Sequence, residues 1–194
     1  MRSPLAEALA ALGSALKSLR VRWYLFGAQA ALLYGASRLT ADVDVTVQLG
    51  DQETANLVQA LERAGFRLRV RDVGGFVART RVLPFVYPRS GMPVDIVLAG
   101  PGLEDLFFRR RRRRIVDGVP VFVASPEDVA VMKVLAGRGK DEDDTIAILA
   151  AQPRLNLRRI RTTLGALERA LDQSDLRPRF ERLLARARRP ARAR

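Results

Sequence analysis

The sequence predicts a mixed α/β domain, a mixed β-sheet flanked by helices, followed by a helical C-terminal part. Three observations carry this prediction. Short apolar runs alternate with stretches of helical spacing up to about residue 124; the run at 42–48 alternates strictly with period two; and beyond Asp117-Gly118 the apolar spacing turns helical throughout. A chain of 194 residues can bury one sizeable core, and a main domain with a small appended one suits that length, with boundaries at 1–124 and 125–194.

The elements follow in order. MRSPLAEALAALGSALKSLR scatters its charges among alanines and leucines and has no apolar signal-peptide core, so it reads as an amphipathic helix. VRWYLF (21–26) is a short strand ended by Gly27, and AQAALLYG resumes helical spacing closed by Gly35, giving strand, glycine turn, helix. In DVDVTVQ (42–48), Val43, Val45 and Val47 share one face and Asp42, Asp44 and Thr46 the other. A helix is expected over 52–64, then strands at 66–72, 76–82 and 93–98. Val116-Asp117-Gly118-Val119 is a hairpin signal, because Asp-Gly tolerates the positive φ angles of a two-residue turn. Ser125-Pro126-Glu127-Asp128 starts a helix with a serine cap, proline at the first position and acids in the first turn, running to about Gly137. Another helix begins near Asp141, and two more, parted near Ser174, complete the chain.

Composition narrows the chemistry. With no cysteine and no histidine, disulfides, thiol nucleophiles, histidine bases and Cys/His zinc sites are excluded. Carboxylate, lysine, tyrosine and hydroxyl chemistry remain, and clustered carboxylates suit hard cations such as Mg²⁺ or Mn²⁺. No run approaches the roughly 18 uninterrupted apolar residues of a membrane span, so a cytoplasmic protein with no membrane partner is expected.

The net charge is +13, and residues 177–194 carry eight arginines against Glu181. That arm, including Arg186, Arg188 and Arg189, joins the run Arg109, Arg110, Arg111, Arg112, Arg113 and Arg114 as the expected footprint of nucleic acid. The bland reading is a solvated surface in a chain that overuses arginine. Only Lys17, Lys133 and Lys140 are lysines, against 31 arginines. Two of the three fall within eight residues, which suggests that a compact ammonium is wanted there, as at phosphate-binding lysines. An ordinary helix-end charge is the alternative.

Acid-x-acid spacing alone is weak, since 21 acids in 194 positions give about two such pairs by chance. Context strengthens Asp42 and Asp44: aspartate is depleted from strands, and two on one face repel each other unless a cation lies between them. Asp95 interrupts the apolar strand PVDIVL in the same way. Three carboxylates converging from two strands could hold one or two Mg²⁺ for in-line displacement on a triphosphate. An exposed polar face of an edge sheet is the alternative. Gly27 at a strand-to-helix turn lets backbone approach phosphate beside free helix N–H donors.

With these residues in place, FGAQAALLYGASRLTADVDVTV resembles the signature of the polymerase-β-like nucleotidyltransferases, a glycine pair opening a helix and an Asp-x-Asp strand after it. More narrowly, Arg38-x-Thr40-x-Asp42-x-Asp44, Asp95 and SPEDVAVMKVLAGRGKDEDDTIAIL resemble the AbiEii-type and related nucleotidyltransferase toxins of toxin–antitoxin systems, over roughly residues 20–150. The resemblance implies a nucleotidyltransferase fold and an NTP substrate. It implies metal binding by Asp42, Asp44 and Asp95, nucleotide binding around Gly27, Ala28, Arg38, Thr40 and Lys140, and completion of the catalytic set by Lys133 and Asp144. Some relatives transfer nucleotides to tRNA; others are antitoxins that adenylylate a partner toxin. Ala28 departs from the pattern, which has serine or glycine there; the backbone donor survives and the hydroxyl does not. The leading expectation is therefore a toxin that acts on RNA, with a cognate antitoxin as a candidate partner. The alternatives are transfer to a protein hydroxyl, a small acceptor such as an aminoglycoside, which explains the arginine excess poorly, and a non-catalytic binding module.

Overall fold

The structure is a computed structural model that describes residues 2–50, 53–100 and 102–189. It divides into two compact units. One holds the residues up to Gln29 together with Thr40–Ala124; the other holds Ala30–Leu39 together with those from Ser125 onward.

The first unit is built on a seven-stranded mixed sheet in the order β3-β4-β5-β2-β1-β7-β6. The strands are β1 (Arg22–Phe26), β2 (Val43–Gln48), β3 (Arg67–Leu68), β4 (Val82–Tyr87), β5 (Met92–Leu98), β6 (Arg112–Val116) and β7 (Val119–Val123). At its centre β2 runs antiparallel to β1 and parallel to β5. The alternation in β2 has the expected consequence: Val43, Val45 and Val47 are fully buried while Asp44 and Gln48 are half-exposed. Helices α1 (Pro4–Ser18) and α3 (Thr54–Arg63) add Leu9, Leu12, Leu16, Leu57 and Leu61, all fully buried. Ser3 caps α1, its hydroxyl accepting from the Ala6 amide at 3.1 Å. The Asp117-Gly118 turn forms between β6 and β7 with φ of 47° and 78°, as its composition requires.

Three expectations need correction. Residues 76–82 do not form a strand; Val73–Thr80 is a helix, α4, because Asp72 caps it from the Gly75 amide (2.9 Å) and Arg81 closes it in the left-handed region. The strand expected over 66–72 shrinks to β3. The apolar run Val82–Tyr87, of which only Val82 fell within an expected strand, is β4.

The second unit is helical: α6 (Pro126–Ala136), α7 (Gly139–Ala151), α8 (Leu157–Leu171) and α9 (Leu176–Ala187). The Ser125-Pro126 start is realised, with the Ser125 hydroxyl accepting from the Asp128 amide at 3.2 Å. Val131, Val134, Ile148, Ile160, Leu164, Phe180 and Leu183 form its core. Among the described residues no helix is long and apolar enough to cross a membrane.

Candidate active site

The parallel register of β2 and β5 sets Asp44 opposite Asp95, and the antiparallel register of β1 sets Phe26 opposite Asp44. Partners in a parallel pair share a sheet face, so two carboxylates lie side by side on adjacent strands, half-exposed and reachable from solvent. Asp42 is just outside β2 and accepts a hydrogen bond from the Thr40 hydroxyl. Asp95 is ion-paired with Arg69, whose Nε also donates to the Phe85 carbonyl at 3.0 Å. Among the described residues no three carboxylates are gathered closely enough, as they stand, to hold a metal ion. The reason is visible: one acid is turned onto a guanidinium and another onto a hydroxyl. Arg69 was not singled out in the sequence, where it is one arginine among 31.

Gly27 follows β1 directly and has φ of +66°, a conformation side-chain-bearing residues rarely adopt. A Cβ there would fall inside the Asp44 carboxylate. The glycine is thus demanded twice, by backbone angle and by the carboxylate packed against it. Ala28 is buried, its methyl part of the core. Gln29 is also buried and donates to the Thr40 carbonyl at 3.3 Å, tying the segment before β2 to the start of α2 (Gly27–Leu33).

In the helical unit the scarce lysine takes a specific place. Lys133 is buried, and its Nζ donates to Asp141 Oδ1 at 2.9 Å and Asp144 Oδ2 at 2.8 Å. Arg138 reaches Asp141 through Nε at 2.5 Å, and Arg38 lies 3.7 Å from Asp144. Burial pushes the Asp141 carboxyl up, but the hydrogen bonds and charges of Arg138 and Lys133 outweigh it and leave the group below its ordinary range. Lys133, Asp144 and Arg38, all singled out in the sequence, therefore meet in one network, which Asp141 and Arg138 of the same KDEDD-containing segment complete. Lys140 is exposed.

The six-arginine run is not one element. Arg109 and Arg110 end α5 (Leu103–Arg110), Arg112–Arg114 lie exposed on the edge strand β6, and Arg111, between them, folds back with its guanidinium 4.5 Å from the Phe122 ring centre. Nor is the C-terminal segment a simple arm. α9 buries Leu176, Phe180, Leu183 and Leu184 and exposes Arg177, Arg182 and Arg186, with Arg186 3.5 Å from Glu142, while Arg179 donates to the Val134 carbonyl at 3.0 Å. Arg188 and Arg189 are exposed just beyond it, and residues 190–194 lie outside the described residues.

No protein-family model and no curated protein sequence matches the chain. Solved structures do. The chain is similar to the antibiotic-resistance factor ANT(2″)-Ia in complex with adenylyl-2″-tobramycin, at 14% identity over 86% of this chain and 98% of that one, with a TM-score of 0.58. It is similar to an antigenic nucleotidyltransferase-like protein from Paracoccidioides brasiliensis (20% identity, 95% and 94% covered, TM-score 0.53). A third likeness is to the lincosamide antibiotic adenylyltransferase LnuA in its lincomycin-bound form (15% identity, 76% and 98% covered, TM-score 0.52). The fold is that of a nucleotidyltransferase. Within that fold, Asp44 and Asp95 stand on neighbouring central strands and Gly27 at the β1–α2 turn.

Proposed function

We propose that the chain is a metal-dependent nucleotidyltransferase that moves a nucleotide from an NTP to an RNA acceptor. The observation that carries this reading is the pairing of Asp44 with Asp95 against a glycine whose missing Cβ makes room for the Asp44 carboxylate. The donor set suits a hard cation: oxygen atoms only, half-exposed, and carrying more negative charge on one sheet face than Arg69 alone offsets. Asp42, Asp44 and Asp95 would hold Mg²⁺ or Mn²⁺, which when bound activates the acceptor hydroxyl and offsets charge on the triphosphate. Thr40 orients Asp42, and the Gly27 backbone fixes Asp44. Arg69 offsets the charge of Asp95 and must yield it to a cation.

Charge argues for RNA. A net charge of +13 draws a polyanion and repels an acceptor bearing several ammonium groups, such as the tobramycin moiety bound to ANT(2″)-Ia. The motif resemblance adds a biological role, the toxin of a toxin–antitoxin pair, with tRNA as the acceptor and a cognate antitoxin as a further partner. The likeness to LnuA and ANT(2″)-Ia supports a second reading, a small hydroxylated acceptor.

One labelling experiment decides among these. The protein is incubated with each α-radiolabelled NTP, Mg²⁺, total tRNA, cell lysate and, separately, lincomycin and tobramycin. Label on RNA is expected, and none with Asp44→Asn. Label only on protein or on an antibiotic would overturn the RNA acceptor; full transfer by Asp44→Asn would overturn the site.

A further inference from the structure

Far from the carboxylates, the first unit holds a groove of about 590 Å³ between α1, the start of β1 and the β6–β7 hairpin. Its volume falls in the range of small-ligand sites, about 300–1,000 Å³. Five cations line it, Arg2, Lys17, Arg20, Arg22 and Arg111, and among its described lining residues there is no Asp or Glu. Elsewhere this chain commonly answers arginine with acid: Arg161 with Glu181, Arg177 with Glu168, Arg179 with Asp175. Here the guanidinia are held by aromatic rings instead, Arg22 5.4 Å from the centre of Phe108 and Arg111 4.5 Å from that of Phe122. Arg111 donates through Nη1 to the Phe108 carbonyl at 2.6 Å, while its Nε is shielded from solvent without a protein acceptor. Burial, and secondarily the charge of Arg22, push the Arg111 guanidinium below its ordinary value.

We propose that this groove binds a phosphorylated ligand of nucleotide size, at a site separate from the carboxylates. Five converging cations exceed what one carboxylate would neutralise, whereas a phosphate chain matches them, and guanidinium forks take phosphate oxygens two at a time. Gly13, Trp23 and Val119 supply an apolar floor for the rest of the ligand. The separation follows from register: Arg22 pairs with Gln48 at one end of the β1–β2 ladder and Phe26 with Asp44 at the other, four residues or about 13 Å along the strand. The phosphate can belong to a free nucleotide or to a nucleic-acid strand.

Trp23 is the only tryptophan in the chain, so its emission reports on this groove. The full chain is titrated in a metal chelator, which disables metal-assisted binding at the carboxylates, with pyrophosphate, with ATP and with a short single-stranded oligoribonucleotide. A saturable change in Trp23 emission is expected with at least one probe. Pyrophosphate or ATP responding would identify a free nucleotide as the source; the oligonucleotide alone responding would identify a strand. Arg22→Gln with Lys17→Gln, both exposed, should weaken that binding at least about tenfold through lost charge-assisted contacts. Arg154→Gln with Arg158→Gln removes the same charge from exposed positions of the helical unit and should change it less than about twofold. Arg20→Asn, at φ of +56° where asparagine is tolerated, gives an independent loss should the pair fold poorly. No emission change with any probe, or equal weakening by the two pairs, overturns the proposal.

Discussion

Gly27→Ala tests the packing of the candidate active site at its tightest point. At φ of +66° an alanine pays the left-handed penalty of roughly 1–2 kcal/mol. Its methyl would also enter the Asp44 carboxylate, and forcing that side chain off its rotamer costs about 0.5–1.5 kcal/mol more. The expected destabilisation is therefore about 1.5–3.5 kcal/mol, a fall in melting temperature of about 3–14 °C for a chain of this size. Nucleotide transfer should fall further than stability does, by about 10²-fold, because a displacement near 1 Å at a metal-binding carboxylate spoils alignment. A double-mutant cycle separates the two costs. In an Asp44→Gly background, which also removes the Asp44 Cβ that would lie 2.9 Å from the new methyl, the collision is gone, so Gly27→Ala should cost only its backbone part, leaving a coupling of about 0.5–1.5 kcal/mol. Equal cost in both backgrounds would refute the claim that Asp44 leans on Gly27, and an unchanged melting temperature for Gly27→Ala would refute the backbone argument as well.

Three further outcomes are expected. Lys133→Met removes the ammonium between buried Asp141 and Asp144, leaving them only Arg138 and the more distant Arg38, so thermal unfolding should show a loss of about 3 kcal/mol, and a wild-type melting curve would remove the network from the account of stability. Asp141 has its pKa depressed in the folded state, so its contribution is complete above the unfolded carboxylate value near ~3.9 and is lost as pH falls through the lower folded value; denaturant melts should weaken below about pH 4, less so in Asp141→Asn, and identical profiles for the two chains would contradict this. Arg69→Gln frees Asp95 from a half-exposed ion pair worth at most about 1 kcal/mol, so Mn²⁺ affinity by titration calorimetry should rise up to about fivefold, and a decrease would show that Arg69 supports the site rather than competing for it.

What could be read from the sequence and what could not divide along a physical line. Period-two alternation places residues on a face without knowledge of neighbours, so the aspartates among Val43, Val45 and Val47 stood out; it does not say what covers a face, and Thr46, on the same face as Asp44, is buried. Strand order depends on contacts distant in sequence, so nothing local indicated that β5 would lie beside β2 and bring Asp95 level with Asp44. Arg69 was hidden for a different reason: in a chain of 31 arginines, the one guanidinium that pairs with Asp95 has no contrast. The six arginines Arg109 to Arg114 are clustered in sequence. Yet the backbone passes from helix to strand at Arg111, and a change of periodicity sends consecutive side chains in unrelated directions.

Lys133 shows both limits at once. Scarcity of lysine marked it as a position needing a compact charge rather than merely a positive one, and the folded chain agrees that the charge is specific: a single ammonium bridges two buried carboxylates with bonds of 2.8 and 2.9 Å. A triphosphate and a pair of aspartates make the same demand on the cation, so residue type alone could not separate a ligand-binding lysine from a packing one. Burial separates them. A lysine as buried as this, with both carboxylates contributed by α7, joins α6 to α7 before it does anything else, and Lys133→Arg should cost stability because a planar fork does not fit where an ammonium bridges two acids. Any loss of transfer in that variant must therefore be judged against its melting curve, and only a loss in a chain that remains folded at the assay temperature would assign Lys133 a part in the chemistry.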